Sequence, residues 1–169
     1  MEINFKVTEE DYIQFNLHHL ENSPSQKRLY TILRFIVPIL SSLVVYFSGT
    51  RLFNQPSLYW IIVAIVFAVG WIIYYPKEYK RSIVKQVKKM LKEGDNSAVF
   101  TDKKLVVEGN DISFIDCYTT EILTKESIQS VKVFDEMIVL YVGSVSAHII
   151  PTRGINGEKR KELLALLNA

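Results

Sequence analysis

The sequence predicts an α+β membrane protein: a two-helix transmembrane hairpin plus a small antiparallel β cytoplasmic domain closed by a C-terminal helix. Three observations carry that prediction. Leu58 to Tyr75, LYWIIVAIVFAVGWIIYY, runs eighteen residues without a charge. A shorter apolar segment precedes it, and residues 35–75 together hold one charged side chain, Arg51. From Ser97 onward the pattern changes to short runs of β-branched and aromatic residues broken by turn residues, the signature of strands.

The longest apolar run comes first in the argument. At about 1.5 Å rise per residue it makes a helix of roughly 27 Å, close to the ~30 Å hydrocarbon core of a bilayer. Tyr59 and Trp60 at one end, with Trp71, Tyr74 and Tyr75 near the other, match an interfacial aromatic belt. Pro76 is expected to end this span and to open the next helix. The earlier segment, Phe35 to Phe47, is shorter and contains Pro38. It reaches spanning length as a helix over about 31–50, with Arg34 extending its stem to the headgroups and Pro38 in the first turns. The linking SGTRLFNQPS suits a tight reversal. The competing reading, two buried helices of a soluble bundle, fails because a small domain has no layer thick enough to cover Leu58–Tyr75 on all sides.

Charge orients the hairpin. Lys27, Arg28 and Arg34 lead into the first span, and Lys77, Lys80, Arg81, Lys85, Lys88, Lys89 and Lys92 follow the second, whereas the connecting loop has only Arg51. This places both termini in the cytoplasm. The first twenty residues carry acids and no long apolar run, so they do not read as a secretory signal and are expected in the mature protein. The expected organisation is an N-terminal strand and helix over 1–28, the hairpin over 29–76 (spans about 31–50 and 58–75), a basic amphipathic helix over 77–94 and a β domain over 95–169.

In the basic helix, Tyr79, Ile83, Val87 and Met90/Leu91 recur at spacings of three and four, an apolar stripe with cations on the other faces. Two uses stay open: a solvated helix whose stripe packs on the following domain, or an interfacial helix whose seven cations hold anionic lipid headgroups. Gly94 is placed to terminate it.

The β domain is expected from the runs SAVFT, KLVVEG, DISFIDCY, IQSVKVFD, MIVLYV and VSAHII. Turns are expected at Gly109–Asn110–Asp111, Asp135–Glu136 and Gly143–Ser144. Asn156 is a candidate N-cap for a closing helix with Leu163, Leu164 and Leu167 on one face. EINFKV alternates like a strand, and Thr8 with Asp11 three residues on marks a helix start. A sheet of short strands closed by a C-terminal helix is the outline of a pleckstrin-homology-like (PH-like) fold, with the hairpin inserted after the first strand and helix.

The stretches Phe5–Tyr12 (FKVTEEDY), Val99–Leu105 (VFTDKKL), Ile128–Tyr141 (IQSVKVFDEMIVLY) and Ala147–Arg153 (AHIIPTR), in that order around paired spans, resemble the YcxB-like proteins of bacteria. Family members often carry a tryptophan three residues before the position of Ile128, where this chain has Lys125. The resemblance implies membrane attachment, here to the bacterial cytoplasmic (inner) membrane, and a C-terminal region related to bacterial PH domains. It implies no catalytic activity and no defined ligand.

The residues themselves support little chemistry. His18 and His19 are adjacent and diverge by about 100° on a helix, so they cannot share a metal. Cys117 reads as an inward-facing small residue. With seven glycines and no phosphate-binding pattern, with acids at turns and with a net charge of only +2, neither an enzyme, a cofactor site nor a nucleic-acid interface is expected. The functional expectation is a membrane-anchored binding module facing a protein partner or lipid, with His148 and Arg153 as candidate contacts near an exposed strand edge. The alternative is an immunity protein that protects the cell from a membrane-active toxin.

Overall fold

A computed structural model describes residues 1–53, 55–143 and 146–167. The elements are β1 (Glu2–Lys6), α1 (Glu9–Asn22), α2 (Pro24–Thr31), a π-turn (Ile32–Ile36), α3 (Val37–Leu52), α4 (Ser57–Lys92), β2 (Asp102–Glu108), β3 (Asp111–Ile115), β4 (Thr120–Thr124), β5 (Ser130–Val133), β6 (Met137–Tyr141), β7 (Ala147–Pro151) and α5 (Gly157–Leu167). They form two compact units, one of Met1–Phe15 with Lys88–Ala169 and one of Asn16–Val87.

The first unit holds two antiparallel sheets, ordered β1-β2-β3-β4 and β5-β6-β7. The N-terminal strand therefore joins the sheet formed after the hairpin, with Ile3 opposite Leu105 and Phe5 opposite Lys103. Alternation in β1 and β3 puts Ile3, Phe5, Ile112 and Phe114 inward beside Leu105 and Val107, and the same core takes Leu163 from α5. In β6 the alternation disappears: Met137, Ile138, Val139 and Leu140 are all fully buried. Ile138 and Leu140 face the main core, while Met137 and Val139 meet Tyr12 and Phe15 from the start of α1. A strand covered on both faces reads as a continuous apolar run. Burying such a run stabilises the fold at about 25 cal/mol per Å² of apolar surface.

Local signals close the elements. Glu108 pairs with Asp111, so Gly109 and Asn110 form a two-residue hairpin loop, and Gly109 has φ +59. Glycine at the first central position of a primed turn meets that requirement. Thr8 and Asp11 make a reciprocal cap: Thr8 N–H and Oγ1–H donate to Asp11 Oδ2 at 2.7 and 2.8 Å, and Asp11 N–H donates to Thr8 Oγ1 at 3.3 Å. Asn156 Oδ1 accepts from Lys159 N–H at 2.8 Å and caps α5.

The structure departs from the sequence reading at several points. Residues Ser97–Phe100, expected as a strand, form a 3₁₀ turn. Strand β4, TEILT, was absent from the expected set; only Leu123 of it packs on the core, while the apolar Ile122 faces outward. Cys117 is exposed rather than inward-facing. Asp116 Oδ1 accepts from Tyr118 N–H and Thr119 N–H, both at 2.8 Å, and turns the chain at that point. Of the expected turn and strand around Gly143–Ser144 and VSAHII, Ser144 and Val145 lie outside the described residues.

The second unit contains the hairpin. Among the described residues, two helices are long and apolar enough to cross a membrane, Pro24–Leu52 and Ser57–Lys92, and only 6% of the apolar window of each is buried. They are longer than the expected spans, and the reversal shortens to 53–56, of which Asn54 lies outside the described residues. At that end the Trp60 ring packs so closely on Gly49 that a Cβ there would overlap it.

Pro76 lies inside α4 instead of ending it. Pro38 sits in the first turn of α3, as expected, with the π-turn and α2 running into it without a break. Each removes a backbone donor. The i+4 partner of the Ile72 carbonyl would be Pro76, and Arg34 Nε–H donates to that carbonyl at 3.3 Å instead. At the π-turn, Val37 N–H reaches back to Ile32 O, and the next donor in that register would be Pro38. The Leu33 carbonyl left open accepts Trp71 Nε1–H at 3.0 Å. Each helix thus satisfies a carbonyl freed by proline in the other. A third cross-link runs from Ser42 Oγ–H to Ala64 O at 3.0 Å.

Candidate functional site

A polar recess of the first unit is a cleft of about 160 Å³ where the end of β3, the turn after it and β4 approach β7. Phe5, Val7 and Ile149 supply apolar wall, and Lys103, Asp116, Thr119, Glu121 and His148 supply the polar groups. Strand register delivers these side chains. Phe114 sits opposite Glu121 in the β3–β4 ladder, and His148 opposite Leu140 in β6–β7.

His148 is largely covered, its side chain 19% exposed. Its ring stacks on Phe114 with centroids 4.2 Å apart and planes at 12°. Its Nε2 lies 3.4 Å from Glu121 Oε1. Burial holds the imidazole below its ordinary pKa and Lys103 adds to that, while Glu121 opposes it. Lys103 Nζ lies 3.7 Å from Asp116 Oδ2. Asp116 is held below the usual carboxylate range chiefly by the Tyr118 and Thr119 backbone donors.

The cleft offers both signs of charge and a neutral, stacked imidazole. No serine or cysteine is hydrogen-bonded to His148 among the described residues, and no group of three or more His, Cys, Asp or Glu is placed there to hold a metal ion. The arrangement is suited to recognition through hydrogen bonds and charge.

The other candidates sit elsewhere. The Arg153 guanidinium is ion-paired to the buried Asp11 and donates to Thr8 Oγ1 at 3.0 Å, so its charge is engaged within the chain. The seven cations all lie on α4. Lys80 pairs with Glu21 at 2.9 Å, Arg81 with Glu78 at 2.5 Å, Lys88 with Glu9 at 3.8 Å and Lys89 with Glu93 at 3.6 Å. Lys77, Lys85 and Lys92 make no ion pair among the described residues. Sequence reasoning found His148 but missed Glu121, Asp116 and Lys103 beside it. The signals were the D-x-x-T turn and the T-E-I-L-T alternation.

Comparison with known proteins gives one match. Residues 126–167, covering β5, β6, β7 and α5, match the family model described as YcxB-like protein. No curated protein and no solved structure matches the chain.

Proposed function

We propose that the chain is a membrane-anchored, non-enzymatic binding module of the bacterial cytoplasmic membrane. Its hairpin crosses the bilayer twice with both termini inside, and a PH-like domain faces a protein or lipid partner at the inner leaflet. One observation carries this reading. The chain leaves a seven-stranded, helix-closed domain after β1 and α1, runs through two long helices that expose their apolar surface, and returns to pair β2 with β1. Exposed apolar faces of that size need a hydrocarbon environment. The four-plus-three strand order closed by α5 supports the PH-like assignment, and the His148 cleft is the recognition site we assign to it.

The lone, exposed Cys117 tests the proposal in the unaltered chain, since it lies in the turn that carries Asp116 and Thr119. A membrane-impermeant maleimide should label it in inverted vesicles and not in intact spheroplasts. A photo-crosslinker attached there should then capture a cytoplasmic partner or lipid, and Glu121→Lys should reduce that adduct. Labelling in intact spheroplasts would overturn the orientation. Adducts unchanged by the substitution would remove the cleft as the contact.

A further inference from the structure

A second cavity lies entirely within the hairpin unit. It measures about 270 Å³ and is formed by the C-terminal half of α1, by α2 and by the part of α4 that follows Pro76. Leu20, Tyr79 and Ile83 line its apolar interior, and Lys27, Lys80 and Glu21 stand at its polar edge. We propose that this cup binds the headgroup and upper chain of one anionic phospholipid. The inference rests on the reading that the hairpin spans a bilayer.

Position is the first argument. If Tyr75 marks the edge of the apolar span, Lys80 lies about 7.5 Å further along the helix axis, the depth of the headgroup layer. The Tyr30 ring lies tilted with its centroid 5.6 Å from that of Tyr75 and 5.0 Å from that of Tyr79, so an aromatic cluster joins the cup to the apolar surface of the spans. Acyl chains can continue along that surface, where Ile73, Tyr74 and Leu29 are exposed.

Charge is the second argument. Lys27 and Lys80 stand at the edge of the cup with Glu21, and Arg28, Lys77 and Arg81, with Glu78, adjoin them in the sequence. The carboxylates are already paired, Glu21 with Lys80 and Glu78 with Arg81. Lys27 is exposed and makes no ion pair among the described residues, which leaves it to meet a phosphate. An apolar interior with a cationic edge at headgroup depth selects an amphiphile with a negative head over a soluble anion, which would leave the interior empty.

Native mass spectrometry of the full chain, released from nanodiscs of mixed phosphatidylglycerol and phosphatidylethanolamine, tests this. One phosphatidylglycerol should be retained in preference to phosphatidylethanolamine. Lys27→Gln should lower that retention by about five-fold, the worth of one surface cation. Leu20→Trp, which fills the cup without changing charge, should also abolish it. Equal retention of both lipids, or retention unchanged in both variants, would overturn the proposal. Resistance of every variant to carbonate extraction isolates the result from the hairpin reading: a chain that stays in the membrane without retaining lipid disproves the cup alone, and a chain that is extracted disproves the spanning hairpin.

Discussion

The two units use the same residue types in opposite ways. In the β domain, Ile138, Val139 and Leu140 have no exposed surface, whereas in the hairpin Ile62, Val66 and Ile73 are 55–66% exposed. In the domain, the chain itself excludes water from its apolar side chains. In the hairpin, on the proposed membrane-spanning reading, that task falls to the bilayer, and polar links join the two helices. The domain satisfies its backbone by ladders and caps, and the hairpin does so where proline breaks the pattern, through Arg34, Trp71 and the opposite helix. An apolar side chain therefore says little about a site until its surroundings are known.

The largest effect should separate core from lipid-facing surface. Ile138→Ala should destabilise the domain by about 2–5 kcal/mol, while Val66→Ala in the hairpin should change stability by less than about 0.5 kcal/mol. Limited proteolysis of the full chain in nanodiscs across a temperature series would measure both. Equal sensitivity at the two sites would mean that Val66 is buried in a protein contact, and the comparison would fail.

A smaller effect is expected at the proline sites. Arg34→Leu should cost about 1–3 kcal/mol, because the Ile72 carbonyl is left without a partner. In a Pro76→Ala background, where a backbone N–H returns to that carbonyl, the same substitution should cost much less. A double-mutant cycle in thermal melts reads the difference, and strictly additive costs would show that Arg34 does not act through that carbonyl.

The smallest effect concerns pH. Burial lowers the His148 pKa, so the folded state binds fewer protons than the unfolded state in the window just below the ordinary value of 6.5. Stability from this group is full above that value and drains away as pH falls through the depressed folded pKa. Between pH 7.5 and 5.5 the melting temperature should fall more for the unaltered chain than for His148→Phe, which keeps the stacking on Phe114. Identical slopes would show that His148 does not carry the pH dependence.

Much of this architecture was legible in the chain because its causes are local. The eighteen-residue uncharged run sets a helix length, Gly109 demands its turn, and Thr8–Asp11 and Asn156 carry their own capping geometry. The candidate site was less legible. His148 was visible as an odd residue in a strand, but Glu121 and Lys103 are 27 and 45 residues away and meet it only through sheet register. Strand β4 went unread because its apolar alternation is inverted: Ile122 faces outward while the polar Glu121 shares the covered face with Leu123.

What the sequence by itself determined was the kind of most segments: apolar helices of spanning length, cations beside them, short strands and a capped final helix. Periodicity, charge and turn chemistry act over a few residues and need no partner. Only the tertiary structure decided that β1 pairs with β2 across the inserted hairpin and that β6 is buried on both faces. It also decided that Arg153 is engaged by Asp11, and that Pro38 and Pro76 sit inside continuous helices. Those outcomes depend on which donor finds which orphaned acceptor in space, and residues 38 positions apart, such as Arg34 and Ile72, carry no local mark of their meeting.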